Sequence, residues 1–228
     1  MRTSSPLILA IDTSTRRVGI GLTHGGEVLA EHTWTSQDYH TVELAPAVND
    51  MLTRSGIKPS DLAAIAVAKG PGSFTGLRIG LALSKGLCLA LHIPVIGVAT
   101  LDILAAAQPV MEIPLASILR AGRGRLAVGW YQAKQGKWQA MDKLQALTIE
   151  ELNQQIQSQV FLCGELNDEE RRLLIRHHKT ILLASPAQSL RRPAYLAEIG
   201  LNCWMAGKMD APETLAPVYL HYHDPIPE

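Results

Sequence analysis

One arrangement of strand-like and helix-like segments occurs twice in this chain, and that repetition constrains its fold more than any other feature. Residues 7–11, 18–22 and 28–33 read as three strands in antiparallel succession. The last two are joined by Thr23-His24-Gly25-Gly26, where glycine supplies the positive φ that a tight hairpin turn requires. A helix over 41–54 follows, with Leu44, Val48, Met51 and Leu52 on one stripe and Glu43 at its positive end. Next come a strand at 62–68, a turn-rich loop at 70–76, a helix over 77–91, a strand at 94–98 and a short helix at 101–107.

The second half repeats the order. Strands are expected at 115–119, 126–133 and 138–141, the last pair turning at Gln135-Gly136-Lys137. Thr148 and Glu151 form a capping box for a helix to about 157, and a strand follows at 160–163. Asn167 caps a helix with Asp168, Glu169 and Glu170 at its positive end and Arg176, His177, His178 and Lys179 at its negative end. A strand at 180–184 and a helix at 194–206 complete the set, and the tail from Pro212 reads as irregular. Residues 110–114 look like a boundary, giving subdomains 1–108 and 109–228, with the last helix and tail (about 193–228) free to pack back on the N-terminal part. Mixed sheets covered by helices make this an α/β protein. A duplicated βββαβα-like pattern is the plan of the actin, heat-shock chaperone and sugar-kinase superfamily.

Composition narrows the function. Of 228 residues, 47% are hydrophobic and 18% charged, which excludes disorder as the main state. Lysine plus arginine (21) balances aspartate plus glutamate (21), so the chain lacks the bulk positive charge of a protein that grips a nucleic-acid backbone alone. Cys88, Cys163 and Cys203 are far apart and odd in number, arguing against a disulfide framework or a zinc ribbon. The N-terminal apolar run meets Asp12 at once, unlike a signal peptide. The longest apolar region, 77–91, is broken by Arg78, Ser84 and Lys85, short of the roughly 18 uninterrupted residues of a membrane span. No membrane partner and a cytoplasmic location are therefore expected.

Three segments are candidate sites. Asp12-Thr13-Ser14-Thr15 ends the first strand, where a carboxylate and adjacent N–H donors suit a metal–phosphate pair; the plainer reading is an Asx or ST turn satisfying local donors. No glycine-rich stretch in the second half offers a second phosphate loop, which favours the turn. The loop 70–76 could bind an anion at a helix N-terminus, but it has neither a Walker A nor a G-x-G-x-x-G spacing, so a rigid turn aiming the helix is the leading reading. The helix 77–91 is the most informative. Gly76, Gly80, Ser84 and Cys88 form one small-residue row, Ala82, Gly86 and Ala90 another, and leucines and Ile79 cover the rest. A helix apolar nearly all round must be buried nearly all round, either within the monomer or against a second chain. Leu44, Val48, Met51, Gly76, Ile79, Gly80, Leu83, Ser84 and Leu87 are the expected partner interface. His221-x-His223-Asp224 is a weak metal candidate, and Arg120, Arg123 and Arg125 a weak phosphate or RNA patch.

LAIDTSTRRVGIGL, KGPGSFTGLRIGLALSKGL, IPVIGVATLD and LAPVYL together resemble the TsaB (YeaZ) family, strongly over about 7–107 and again at 215–220. The resemblance implies an actin-like (ASKHA, ribonuclease H-like, glycoprotease-like) duplicated fold of two subdomains. It implies a subunit, itself non-catalytic, of the machinery that adds threonylcarbamoyl to N6 of adenosine 37 in tRNA. Its partners would be a second copy, a TsaD-like catalytic subunit and a TsaE-like ATPase, with tRNA contacted indirectly and ATP and Mg²⁺ held through the partners. TsaD-type proteins carry an H-x-x-x-H metal pair just after a segment like IPVIGV; the matching positions here are Thr100 and Leu104, which cannot hold a metal. The chain also stops before the glycine-rich nucleotide loops of that larger paralogue. No catalytic or metal-ligating residues are therefore expected. Two departures stand out: family members often have Asp-Ala-Arg-Arg-Gly-Glu where this chain has Arg at 120 and 125, and His221 replaces the usual arginine after the final Tyr-Leu. The competing expectation is a stand-alone actin-like ATPase, using Asp12, or a glycoprotease-type peptidase.

Overall fold

The structure is a computed structural model that describes residues 5–37, 40–122, 124–141 and 144–220. Its first sheet contains β1 (Leu7–Asp12), β2 (Arg17–His24), β3 (Glu27–Thr35), β4 (Ala64–Gly70) and β5 (Val95–Ala99), in the order β3-β2-β1-β4-β5. The first three strands are antiparallel, while β1–β4 and β4–β5 are parallel. The β2–β3 hairpin closes through Gly25 at φ 58°, as its sequence requires. The helices of this half are α1 (His40–Arg54), α2 (Phe74–Leu91) and α3 (Thr100–Ala106).

The second half has β6 (Leu115–Arg120), β7 (Leu126–Lys134), β8 (Lys137–Ala140), β9 (Gln145–Leu147), α4 (Ile149–Gln155), β10 (Phe161–Gly164), α5 (Asp168–His177), β11 (Leu182–Leu183) and α6 (Pro193–Met205). Its sheet runs β11-β10-β6-β7-β8, with β9 paired to β7. Substituting β6, β7, β8, β10 and β11 for β1 to β5 reproduces the first sheet's order, so the duplicated α/β architecture holds. Two details differ from the sequence reading. β9 lacks the alternation that would announce a strand, and the strand expected at 180–184 is only two residues long.

The last helix of each half lies on the other half's sheet. α3 packs chiefly against β6, placing Leu101, Leu104 and Ala105 in a core with Leu115, Leu119 and Tyr131. α6 packs across β1, β2, β4 and β5. The register explains how α6 comes so close. Leu9, Ile11, Ile65 and Val67 point to the α1–α2 side, whereas Ala10, Ala64, Ala66 and Ala68 point to α6. On β2, Gly19 and Gly21 lie beneath Pro193, and a Cβ on Gly19 would stand 2.6 Å from the proline Cγ. On the helix, a Cβ on Gly200 would stand 2.5 Å from the Ala66 Cβ.

Of the two expectations for residues 77–91, cover within the monomer is not met, because the subunit covers only one side of α2. Gly76, Leu77, Gly80, Leu81, Ser84 and Cys88 are buried, but Ala82, Gly86, Leu89 and Ala90 are exposed. Ile79, Leu83 and Leu87 are half-buried along the margins. A helix laid on one sheet face beside a single neighbouring helix, α1, is covered over only part of its circumference. α2 is long and apolar enough to cross a membrane, yet it connects the adjacent parallel strands β4 and β5 and is a layer of the fold.

Two predictions follow from this packing. Gly200→Leu forces a large side chain into the α6–β4 contact and should cost about 2–3 kcal/mol, read as a lower urea midpoint; an unchanged midpoint would refute the close approach. Burial pushes the Cys88 thiol up to about 11 and Cys163 up to about 12, so at about pH 8 both are almost wholly protonated. A thiol reagent should therefore label only the half-exposed Cys203 in the folded protein and all three cysteines after unfolding.

Candidate functional site

The Asp12–Thr15 segment and the 70–76 loop meet at one place. β1 ends on Asp12, which is 2% exposed. Its Oδ1 accepts from the Ser14 amide at 2.9 Å and from the Ser14 hydroxyl at 2.5 Å, closing an Asx-type turn. The Thr13 hydroxyl donates to the Gly76 carbonyl at 2.7 Å, and the Ser73 amide donates to the Ser14 carbonyl at 2.6 Å. Cβ atoms at Gly72 and Gly76 would collide with the Ser14 and Thr13 carbonyl oxygens, and one at Gly80 with the Thr13 hydroxyl. Ser73 caps α2 by accepting from the Gly76 amide. The loop is thus a turn that seats the start of α2 directly on the end of β1.

The other oxygen of Asp12 faces a residue that sequence reasoning missed. Arg191, 3% exposed, lies just before α6. Its Nε donates to Asp12 Oδ2 at 2.9 Å, its Nη1 to Glu165 Oε1 at 2.5 Å, and its Nη2 to the Thr15 hydroxyl at 2.5 Å and the Arg17 carbonyl at 3.2 Å. Glu165 follows β10, accepts from the Thr15 hydroxyl at 3.1 Å, and takes the Arg120 amide on its second oxygen at 3.1 Å. Burial works against the Arg191 charge, but the Asp12 and Glu165 carboxylates outweigh it and hold the guanidinium above its ordinary value. Asp12 comes from the first sheet and Glu165 from the second, so the arginine ties the two sheets together.

The other candidates are placed as follows. Arg120 is bidentate on Glu170, with Nη1–Oε1 at 2.7 Å, and Arg125 lies 3.5 Å from Glu151. These two arginines are therefore paired within the second half, while Arg123, His221, His223 and Asp224 lie outside the described residues. Leu44, Val48, Met51, Gly76, Gly80 and Ser84 are buried inside the subunit, because α1 and α2 use those faces to pack on the first sheet and on Thr13. Of the nine expected interface residues, Ile79, Leu83 and Leu87 retain exposure. Thr100 and Leu104 are fully buried, and the Thr100 hydroxyl has no hydrogen-bond partner among the described residues. Two residues beyond Thr100, burial raises the Asp102 carboxyl, which accepts from the Tyr131 hydroxyl at 2.7 Å. Among the described residues, no three His, Cys, Asp or Glu side chains gather closely enough to hold a metal ion.

The signal for Arg191 was present but unread. Arg191-Arg192-Pro193 places two cations before a proline at the start of a helix, where positive charge opposes the helix dipole unless anions receive it. Glu31 on β3 receives Arg192 at 2.6 Å and also accepts from the Ala194 amide of the first helical turn at 3.0 Å.

At the N-terminus of α2, Phe74 stacks on Tyr219 at 5.1 Å between ring centroids. The Arg78 guanidinium lies 3.6 Å over the Phe74 ring, and its Nε donates to the Tyr219 hydroxyl at 3.0 Å. Phe74 is 55% exposed, so this cluster continues the open apolar face of α2.

Comparison with known proteins agrees with this geometry. The family model for TsaD, tRNA N6-adenosine threonylcarbamoyltransferase, matches residues 27–167. The chain is 43% identical over 129 residues to the tRNA threonylcarbamoyladenosine biosynthesis protein TsaB of Bacillus subtilis, covering 57% of this chain and 56% of that one. With the Escherichia coli protein of the same name it shares 44% identity over 98 residues, 43% of this chain and 42% of the other. The chain thus matches about half the length of these curated relatives. YeaZ from Pseudomonas aeruginosa superposes with a TM-score of 0.78 at 28% identity, over 94% of this chain and 100% of that one. The ethanolamine utilization protein EutJ from Carboxydothermus hydrogenoformans, at 13% identity and a TM-score of 0.53, shares the fold alone. On these matches the chain belongs to the TsaB (YeaZ) family, with its duplicated actin-like fold.

Proposed function

We propose that this chain is a non-catalytic scaffold and activator subunit of the complex that adds threonylcarbamoyl to N6 of adenosine 37 in tRNA, and that it acts by dimerising with a TsaD-like catalytic subunit. The observation that carries this reading is the open face of α2. Ala82, Gly86, Leu89 and Ala90 form an exposed apolar stripe, flanked by half-buried Ile79, Leu83 and Leu87. At its N-terminal end the stripe meets the Phe74, Arg78 and Tyr219 cluster, and aromatic and arginine anchors of this kind carry much of the energy of protein interfaces. Val42 of the neighbouring α1 is 66% exposed and widens the surface. Small residues on the stripe let a partner helix approach closely.

The charged groups support the non-catalytic part. Both oxygens of Asp12 are engaged, one by Ser14 and one by Arg191. Asp12, Thr13 and Ser14 therefore serve the fold, and ATP and Mg²⁺ would enter the reaction through the partners. With Arg120 and Arg125 paired and the formal charge zero, tRNA would be reached indirectly. Without the catalytic subunit the same face would hold a homodimer, and a TsaE-like ATPase would join the larger assembly, in the cytoplasm.

Two measurements test this. The chain should co-elute with the TsaD-like subunit of its own organism, and Leu89→Glu or Ala82→Arg should weaken that association at least tenfold (about 1.4 kcal/mol) with unchanged thermal melting. Wild-type binding by both variants would rule out the α2 face. Gly80→Arg, by contrast, should lower the melting temperature itself, because its side chain would strike Thr13. In the second measurement, the purified chain alone should show no Mg·ATP turnover, whereas tRNA modification by the reconstituted partners should require it. Turnover by the chain alone would favour an ATPase instead.

A further inference from the structure

We propose that Arg191 is a built-in cation that clasps the two sheets together, held in a cradle selective for a planar guanidinium. The cradle is formed by Asp12 Oδ2, Glu165 Oε1, the Thr15 hydroxyl and the Arg17 carbonyl, all within 3.2 Å of the guanidinium nitrogens. Its two carboxylates come from opposite sheets. Asp12 ends β1, and Glu165 follows β10 and is fixed to the second sheet through the Arg120 amide. The Arg191 side chain is 2% exposed, that of Asp12 3% and that of Glu165 23%. Two carboxylates brought together out of water repel each other and lose hydration, so the halves can close in this way only around a cation.

The contacts distinguish a guanidinium from a point charge. Nε, Nη1 and Nη2 each address a different acceptor, a fork that an ammonium or a spherical ion cannot reproduce. The clasp also reaches α2. Ser14, whose amide and hydroxyl bind the Asp12 carboxylate, takes the Ser73 amide on its carbonyl, and the Thr13 hydroxyl donates to the Gly76 carbonyl. The inference stands whether or not α2 meets a partner, and none of its tests uses the partner.

The experiment is chemical rescue in the full chain. Arg191→Ala leaves both carboxylates facing an empty guanidinium-sized space, and its melting temperature should fall by about 10 °C. Adding about 10 mM guanidinium, far below its denaturing range, should recover part of that loss in Arg191→Ala and none in Glu165→Gln. Equal concentrations of sodium or urea should not rescue. Arg191→Ala melting like wild type, or recovering equally with sodium, would overturn the proposal. If Arg191→Ala does not fold, Glu165→Gln decides through amide hydrogen exchange. Loss of the clasp predicts faster exchange at Ser14, in the turn after β1 of the first sheet, as well as at Arg120 on the second. Acceleration confined to the second sheet would show that Glu165 does not act across the cleft.

Discussion

The structure depends on α6 crossing from the half that encodes it to the sheet of the other half. That crossing dictates residue choice over a wide area. The receiving face must be low, so β4 presents alanines, β1 presents Ala10 beside Ile8 and β2 presents glycines where α6 lies. Pro193 starts the helix without forfeiting a needed donor. Glu31 accepts from the first-turn amide and neutralises Arg192. Arg191 must then be buried at the entry point, which explains carboxylates from both sheets at that spot. A buried ion pair contributes little net stability over a well-packed apolar substitute, because desolvation offsets the attraction. Its effect is on geometry: only one relative placement of the sheets gives all three guanidinium nitrogens their acceptors.

The duplicated plan was legible in the sequence because each strand and helix carries its own periodicity. That α3 lies on the second sheet was not, because periodicity says that a face is apolar and not which sheet covers it; for α6 the sequence offered packing on the N-terminal part as one option. The contact between Arg191 and Asp12 spans 179 residues, and nothing local to either announces the other. β9 escaped notice because three residues are too few for alternation to show. Asp12 was partly legible: the turn it makes with Ser14 is local, whereas its second oxygen's partner is not.

α2 shows how far small-residue spacing can be read. Two glycine–alanine–serine rows at four-residue intervals signal two close approaches, but they do not say to what. The row of Gly76, Gly80 and Ser84 is consumed by the subunit itself, with Thr13 filling the space a side chain would need. The row of Ala82, Gly86 and Ala90 is left open. The nine residues expected at a partner interface mixed the two faces, because sequence position cannot tell a helix's inner row from its outer one. Burial separates them and shifts the open surface toward Leu89 and the Phe74–Tyr219 stack.

The clasp meets the buried row of α2 at the Asp12–Ser14 turn, and this matters for the proposed scaffold role. Association costs less when the presented surface is already fixed, since fewer torsions must be frozen on binding. Here the N-terminus of α2 is fixed by Thr13 and Ser14, and Ser14 is fixed by Asp12, which Arg191 secures to the second sheet. The angle at which α2 offers its apolar stripe is therefore tied to the position of both sheets. Both oxygens of that carboxylate have partners inside the subunit, Ser14 on one and Arg191 on the other, so in the proposed scaffold role Asp12 would stiffen the surface that α2 offers.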